Sequence, residues 1–498
     1  MMSEYKRLHP VSVVFSFLTG LKESFFPLII LMFFGKLSWF IKTFIIGTVV
    51  VFSFISGLVR WLRFTYRLED SELRIEYGFF VKKKRYIPFR RIQSLDFSEG
   101  IVPRLFGLVK VKVETAGSNM DAEAELNMIK KEDALWLQNV IFTAKSEEKT
   151  DETNEHIEQE YTSLKQPAAS QVYKVSNKDL FIMATTSGGI GVVVSAIAAF
   201  ISQFDELIPY EKVFAELQYF IKSGVVFVTA IIFIGLFIAW IIANILTMLK
   251  YNEFTIIKKG EELIITRGLL EKRQTTIPMK RIQAVRVTEN PIRQLFGYAT
   301  VFIKIAGNAE EEEKGKGRVM LLPIIKKVNL LPTLKDLLPD YLFDLSVQPV
   351  PPRAKRRYIF IEMIWTIPVA IILSLLFWPY GLLGILLIVY GLLIGFARYR
   401  DAGWNIINNQ LILQFREFSK HTMFMKKNRI QALNRRVSWF QKRADLASIT
   451  ATTMSGIVGA IGKVAHLEKT DVDHIYRWYS PERTNSLQEQ EKFSAEKE

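Results

Sequence analysis

Apolar stretches long enough to cross a membrane alternate along this chain with segments in which apolar and polar residues take turns. Leu180–Ile201, Gly224–Leu249 and Pro379–Ala397 contain no charged residue. Ile359–Trp378 carries only Glu362 and Phe40–Val59 only Lys42, each near one end. About 20 helical residues at ~1.5 Å rise span a hydrocarbon core of about 30 Å, so each stretch predicts a transmembrane helix. Val11–Phe34 is interrupted by Lys22 and Glu23. It predicts either a sixth span or an interfacial stretch leading into a short span that ends at Phe34.

The spans fall into pairs. Trp378-Pro-Tyr-Gly381 leaves room only for a tight hairpin, and 204–223 forms a longer loop. Basic residues gather at the opposite ends: Arg60, Arg63 and Arg67; Lys174 and Lys178; Lys250, Lys258 and Lys259; Arg353, Lys355, Arg356 and Arg357; Arg398 and Arg400. Positive charge stays on the cytoplasmic side, which predicts that all three polar regions face the cytoplasm.

Those three regions repeat. Arg91-Ile-Gln, Arg281-Ile-Gln and Arg429-Ile-Gln mark their centres. Arg104-Leu-Phe-Gly107 and Gln294-Leu-Phe-Gly297 follow in the first two, closed by Ala116-Gly117 and Ala306-Gly307. The third copy has Lys442-Arg-Ala-Asp445 instead of Leu-Phe-Gly and closes with Ser455-Gly456. Leu73, Ile75 and Tyr77 alternate with polar neighbours, as do Leu263 and Ile265, and Leu411, Leu413 and Phe415. That period predicts strands with one buried face. Gly78 and Gly268 stand where hairpin turns are expected. Val109–Val113 and Thr300–Ile305 read as further strands. Amphipathic helices over Lys131–Phe142, Leu330–Leu338 and Asp471–Tyr479 would close the copies. Short antiparallel strands capped by one helix predict a small split barrel or sandwich.

The fold class is thus membrane α+β, with six transmembrane helices as three pairs, each followed by a β-barrel or sandwich with a C-terminal helix. The expected boundaries are a first pair in 1–62 (11–34 and 40–59) and a first domain over 63–143. An acidic linker follows at 144–171, then a second pair in 172–250 (180–201 and 224–249) and a second domain over 251–346. A Pro/basic linker at 347–357 leads to the third pair in 358–398 (359–378 and 379–397) and the third domain over 399–480. Residues 481–498 read as a disordered tail. Glu147, Glu148, Asp151, Glu152, Glu155, Glu158 and Glu160 make the first linker a solvated segment. Val347–Pro352 reads as a stiff connector.

Composition agrees. Apolar residues make up 49% of the 498, and mean hydropathy is +0.16, unusual for a soluble chain of this size. Net charge is +15. Because the excess borders the spans, it favours anionic lipid over nucleic acid. With no cysteine, disulfides and thiolate chemistry are excluded. The five histidines lack zinc-site spacing. No small-residue cleavage site follows MMSEYKRLHP, so no removable signal peptide is expected.

Few residues suggest chemistry. Gly456–Lys463 has the wrong spacing for a phosphate loop, and Val464 stands where Ser or Thr would hold magnesium. Gly188, Gly189 and Gly191, and the Gly391/Gly395 pair, lie inside spans, where small residues let helices pack closely. Glu362 is expected to reach the membrane interface or to pair with Arg356 or Arg357. Lys82, Lys83, Lys84 and Arg85 form a basic cluster suited to lipid headgroups, or to guarding a strand edge against aggregation. Arg91, Arg281 and Arg429 suit either headgroup or partner contact, or the fixing of a turn. No nucleophile or acid–base constellation appears, so no catalytic residue, metal or cofactor is assigned.

The Arg-Ile-Gln centre, the Leu-Phe-Gly turn, the Ala-Gly close and the preceding helix pair resemble the bacterial pleckstrin-homology-like membrane proteins of the YdbS/YdbT type. The tripled form, over about 5–480, resembles the longer, YdbT-like members. The resemblance implies a pleckstrin-homology (PH)-like barrel in each copy and a Gram-positive plasma-membrane location. It also implies work beside a shorter single-unit paralogue. Some relatives are linked to tolerance of membrane-active peptide bacteriocins. The expected function is a non-enzymatic membrane scaffold; the alternative is an exporter or lipid/peptide transporter formed by the six-helix bundle.

Overall fold

In the first and third copies the helix pair does not precede the β-domain; it is inserted between that domain's first two strands. The computed structural model describes residues 4–34, 38–79, 81–115, 124–151, 170–188, 191, 193–195, 225–305, 318–378, 380–454 and 460–480. The chain divides into two compact units, Met1–Ser170 with Leu249–Pro278, and Gln171–Met248 with Met279–Glu498.

The first unit begins with β1 (Lys6–Arg7), then the helices α1 (Val11–Phe34) and α2 (Trp39–Arg63), then β2 (Thr65–Glu69). β1 and β2 pair antiparallel, Lys6 opposite Tyr66, so the hairpin leaves and re-enters one sheet edge. The two helices approach closely where side chains are small. A Cβ on Gly57 would lie 3.1 Å from the Val13 carbonyl oxygen, and one on Gly20 would lie 3.5 Å from Ser53. α1 is helical through the charged interruption, and Lys22 and Glu23 are exposed.

β3 (Glu72–Tyr77) and β4 (Lys83–Pro88) extend the sheet in the order β1-β2-β3-β4. A single 3-10 turn, Phe89–Arg91, leads to β5 (Ile92–Glu99), the short helix α3 (Ile101–Leu105), β6 (Leu108–Thr115), β7 (Ala124–Lys130) and α4 (Lys131–Asp151). The alternating residues do what their period requires. Leu73, Ile75 and Ile87 meet Leu95, Val111, Val113 and Leu126 across a sandwich, which Ala134, Leu137 and Ile141 of α4 close. α4 runs beyond the expected Phe142 and takes Glu147, Glu148 and Asp151 of the acidic linker into the helix. Alanine, lysine and glutamate there are strong helix formers. Residues 152–169 lie outside the described residues.

The second copy contains β8 (Ser170–Lys174), α5 (Asn177–Thr186), α6 (Val225–Tyr251), β9 (Thr255–Lys259), β10 (Glu262–Arg267) and β11 (Lys272–Pro278). It continues with β12 (Ile282–Glu289), α7 (Pro291–Leu295), β13 (Tyr298–Ile305), β14 (Arg318–Lys326) and α8 (Lys327–Leu337). β9–β11 belong to the first unit and β12–β14 to the second. The third copy contains β15 (Gln348–Pro349), α9 (Ala354–Leu376), α10 (Ile385–Asp401), β16 (Gly403–Ile407), β17 (Gln410–Arg416) and β18 (Lys420–Lys426). It ends with β19 (Ile430–Arg436), α11 (Trp439–Lys442), β20 (Leu446–Thr453), β21 (Ala460–Glu468) and α12 (Lys469–Tyr479). Its core joins Leu411, Leu413, Met423 and Met425 to Leu433, Ile449 and Val464 beneath Val472 and Ile475 of α12.

Val347–Pro352, expected as a stiff connector, contributes β15, with Gln348 opposite Trp404 and Pro349 opposite Gly403. Proline is tolerated there because an edge strand leaves one side of its backbone unpaired.

Strand pairing crosses the copy boundaries. In the first unit β5 pairs with β11, Glu99 opposite Lys272 and Phe97 opposite Gln274. In the second, β12 pairs with β18 from Glu289–Lys420 to Ala284–Met425. Counted from each Arg-Ile-Gln motif, the two joints have the same register, a glutamate opposite a lysine in both. β4 and β19 hold the matching positions at the two ends of the repeat. Each has one strand neighbour among the described residues.

Among the described residues, α2, Ile232–Tyr251, α9 and Gly381–Asp401 are long and apolar enough to cross a membrane. The expected span Leu180–Ile201 is described as α5 and a few residues beyond it; most of its second half, the loop 204–223 and the tail 481–498 lie outside the described residues. So do Ala116-Gly117, Ala306-Gly307 and Ser455-Gly456.

Two histidines make the third copy sensitive to acid. His421 lies in the β12–β18 joint, its Nδ1 3.1 Å from Thr288 Oγ1. Burial, then the charges of Arg286, Arg318 and Arg416, hold its pKa down at about 4. His466 sits 3.0 Å from the Gln441 amide, and burial, then Arg357 and Lys463, lower it to about 4 as well. Both are neutral when folded. The unfolded chain, with ordinary imidazoles near 6.5, binds those protons first as pH falls. Stability from these sites is therefore complete above about pH 6.5 and is lost progressively down to about pH 4. The Tm of the purified chain is expected to fall across that window, and His421→Gln with His466→Gln to flatten the slope.

Candidate functional site

The turn between the second and third hairpin strands of each copy is bonded to the end of an apolar helix. Arg63 Nη1, on the last residue of α2, donates to the Phe79 carbonyl at 2.7 Å. Leu269 N donates to Leu249 O at 2.9 Å and Gly268 N to Asn252 O at 2.8 Å. Arg398 Nε of α10 donates to Glu417 O at 3.3 Å. Gly78 (φ 136°) and Gly268 (φ 101°) turn the chain at these points, in a backbone region that side chains rarely adopt. A Cβ at either would collide with a carbonyl oxygen at 2.0–2.1 Å. The basic cluster begins four residues after Gly78, and so starts beside the membrane helix.

Lys83, Lys84 and Arg85 lie on β4, with Lys82 just before it, and all four are exposed. Lys82 Nζ is 2.5 Å and Lys84 Nζ 3.5 Å from the Glu76 carboxylate on β3. The hydrogen bond from Lys82 lowers the Glu76 pKa, so that carboxylate stays ionised and leaves the cluster with net positive charge. The matching strands β11 and β18 are covered by β5 and β12. β4 is the copy of this strand whose outer edge is uncovered among the described residues.

The recurrent arginines end the 3-10 turns Phe89–Arg91, Met279–Arg281 and Lys427–Arg429. Arg91 is exposed, Arg281 and Arg429 half-buried. Arg429 Nη2 donates at 2.7 Å to the Lys280 carbonyl, in the equivalent turn of the second copy. Beside these turns, two tyrosines serve the second and third copies alike. Tyr341 donates to Ile282 O and Tyr479 to Ile430 O; nothing in the sequence singled them out.

In the spans, a Cβ on Gly391 would lie 2.6 Å from Thr366 Oγ1, and one on Gly395 2.8 Å from the Ile359 Cα. Gly188 and Gly191 have open space where a Cβ would lie; Gly189 is outside the described residues. Glu362 pairs with Arg398 of α10, not with Arg356 or Arg357. On a helix, neighbours of residue i stand at i±3 and i±4. Positions five and six residues away point elsewhere, whereas the α9–α10 hairpin brings Arg398 alongside.

An open groove of about 690 Å³ in the second unit is lined by Asp340, Asn408, Asn409, Lys426, Lys427 and Tyr479, among others. It contains no nucleophile held by a general base.

This set of features, repeated β-domains tied to apolar helices, defines a membrane protein built on bacterial PH domains. The bacterial PH domain family matches residues 23–145, 196–329 and 362–483, one match per copy, and the chain belongs to that family. Over 492 residues it is 36% identical to the UPF0699 transmembrane protein YdbT of Bacillus subtilis (strain 168). The alignment covers 97% of this chain and the whole of that relative.

Proposed function

We propose that the chain is a non-enzymatic scaffold of the plasma membrane whose cytoplasmic PH-like domains hold anionic lipid headgroups. In this reading it contributes to envelope protection, or to tolerance of membrane-active peptides, together with a shorter single-unit paralogue. One observation carries it: the strand edge beside the α2 terminus that is uncovered among the described residues bears Lys83, Lys84 and Arg85. Each cation near an anionic surface contributes about 1 kcal/mol, and with Glu76 offsetting part of the charge of Lys82 and Lys84 the remainder suits a weak headgroup site. The basic helix ends support the cytoplasmic placement.

The test uses the full chain in detergent micelles with fluorescent phosphatidylglycerol. Reversing Lys82, Lys83, Lys84 and Arg85 to glutamate is expected to weaken binding by about tenfold or more. A host carrying that variant is expected to become more sensitive to membrane-active peptides. Unchanged lipid binding and unchanged sensitivity would end the proposal. The transporter reading has less support, because Glu362 and Asp401, acids within described spans, are paired with Arg398 and Arg416. Lipid or peptide flux in reconstituted vesicles would favour it instead.

A further inference from the structure

The Leu-Phe-Gly element takes no part in either sandwich core. In the first copy it forms the end of α3, where Leu105 is 79% and Phe106 57% exposed. In the second it forms the end of α7, with Leu295 85% and Phe296 66% exposed. Gly107 (φ 63°) and Gly297 (φ 70°) then turn the chain sharply into the next strand. Asp445 holds the same conformation (φ 49°) in the third copy. There the Leu-Phe pair is gone, yet Trp439 and Phe440, one turn earlier on α11, are 59% and 66% exposed. Water-facing apolar pairs at one place in every copy call for a cover.

Hydrogen bonds place the pairs of the first two copies beside the apolar helices. In the first unit Arg104 of α3 donates to Leu269 O at 3.4 Å, and Leu269 N is bonded to Leu249 in the last turns of α6. Leu269 and Leu270 are themselves exposed. In the second unit Gln294 of α7 accepts from Arg416 at 2.6 Å, and Arg416 is paired with Asp401, the last residue of α10. Arg416 also donates to the carbonyl of the exposed Phe418. A separate contact points the same way. Arg293 of α7 is buried against α5, donating to Thr186 Oγ1 at 2.8 Å and Met183 O at 3.1 Å. Those two residues open the predicted span Leu180–Ile201. In the first two copies the exposed pair therefore adjoins residues at the mouth of an apolar helix, the depth at which headgroups give way to acyl chains.

We propose that these short helices and the adjoining turns are apolar feet, which insert into the headgroup–acyl boundary of the membrane that the chain spans. They set the pose of each PH-like domain on the bilayer, and α11 retains the foot in the third copy with Trp and Phe, residues suited to that depth. The inference rests on the membrane helices, not on headgroup binding at β4.

The absence of cysteine from the chain makes single-site labelling direct. Leu105→Cys and Leu295→Cys, both largely exposed and so tolerant of change, are labelled in the full chain with an environment-sensitive fluorophore. The protein is reconstituted in phosphatidylglycerol–phosphatidylethanolamine vesicles. Glu261→Cys is the reference; it sits at the far end of the six-residue β10 from Leu269, about 20 Å away at ~3.3 Å per residue. Labels at 105 and 295 are expected to emit at shorter wavelength than at 261 and to be quenched by lipids carrying a shallow nitroxide. Water-like, unquenched emission at both would overturn the proposal. So would short-wavelength emission that lipid nitroxides leave unquenched, since protein would then be the cover. Lipid binding unaffected by reversal at Lys82–Arg85 would leave this result standing.

Discussion

Arg416→Ala is expected to destabilise the second unit by about 3–5 kcal/mol, the cost of removing one partner from a buried ion pair. The Arg416 and Asp401 side chains are 7% and 9% exposed. The guanidinium serves three groups: the Asp401 carboxylate, Gln294 Oε1 and the Phe418 carbonyl. It thus ties the end of α10 to the β17–β18 turn and to the short helix of the second copy. Without it, the nearly buried Asp401 side chain loses its ion-pair partner. Denaturant unfolding of the full chain in micelles measures the loss. Arg416→Met combined with Asp401→Leu is expected to recover much of it, since the stranded charge is then gone. A loss under 1 kcal/mol for the single variant would show that water reaches the pair.

Phe424→Ala is expected to cost a similar amount, about 3–5 kcal/mol. Phe424 lies on β18 opposite Val285 of β12 and is fully buried. Its ring meets Phe343 edge to face with centroids 5.2 Å apart, an arrangement worth about 0.5–1.5 kcal/mol beyond simple burial. Because the ring sits in the joint between the copies, its loss should loosen both. Amide exchange in β12 and β18 is expected to accelerate together. Acceleration confined to β18 would mean that the strand pairing does not couple the copies.

The membrane helices were legible from long apolar runs, and the strand faces from local alternation. Leu73, Ile75, Leu411 and Leu413 alternate, and all four are buried. The repeat was visible in Arg-Ile-Gln. What the sequence withheld is which edges meet. Alternation says which face of β5 or β12 is buried but nothing of its neighbour, so the pairing with β11 and β18 left no local trace. The two-residue strands β1 and β15 are too short to show a period. A proline fits β15 only because the strand lies at a sheet edge. Glu362 was assigned a partner by proximity in the chain, whereas the α9–α10 hairpin supplied Arg398. At the candidate site, the charge of Lys82–Arg85 was legible; that the matching strands are covered while β4 is not required the sheet order.

The central claim is that one copy's sheet continues into the next through strand pairing in fixed register. A cysteine pair at Thr288→Cys and His421→Cys, directly opposed across β12 and β18, tests it most directly in native membranes. Mild oxidation is expected to close a disulfide between them. The neighbouring pair Thr288→Cys and Lys420→Cys should stay open, because side chains one residue apart point to opposite faces. Equal cross-linking of both pairs, or of neither, would contradict the account.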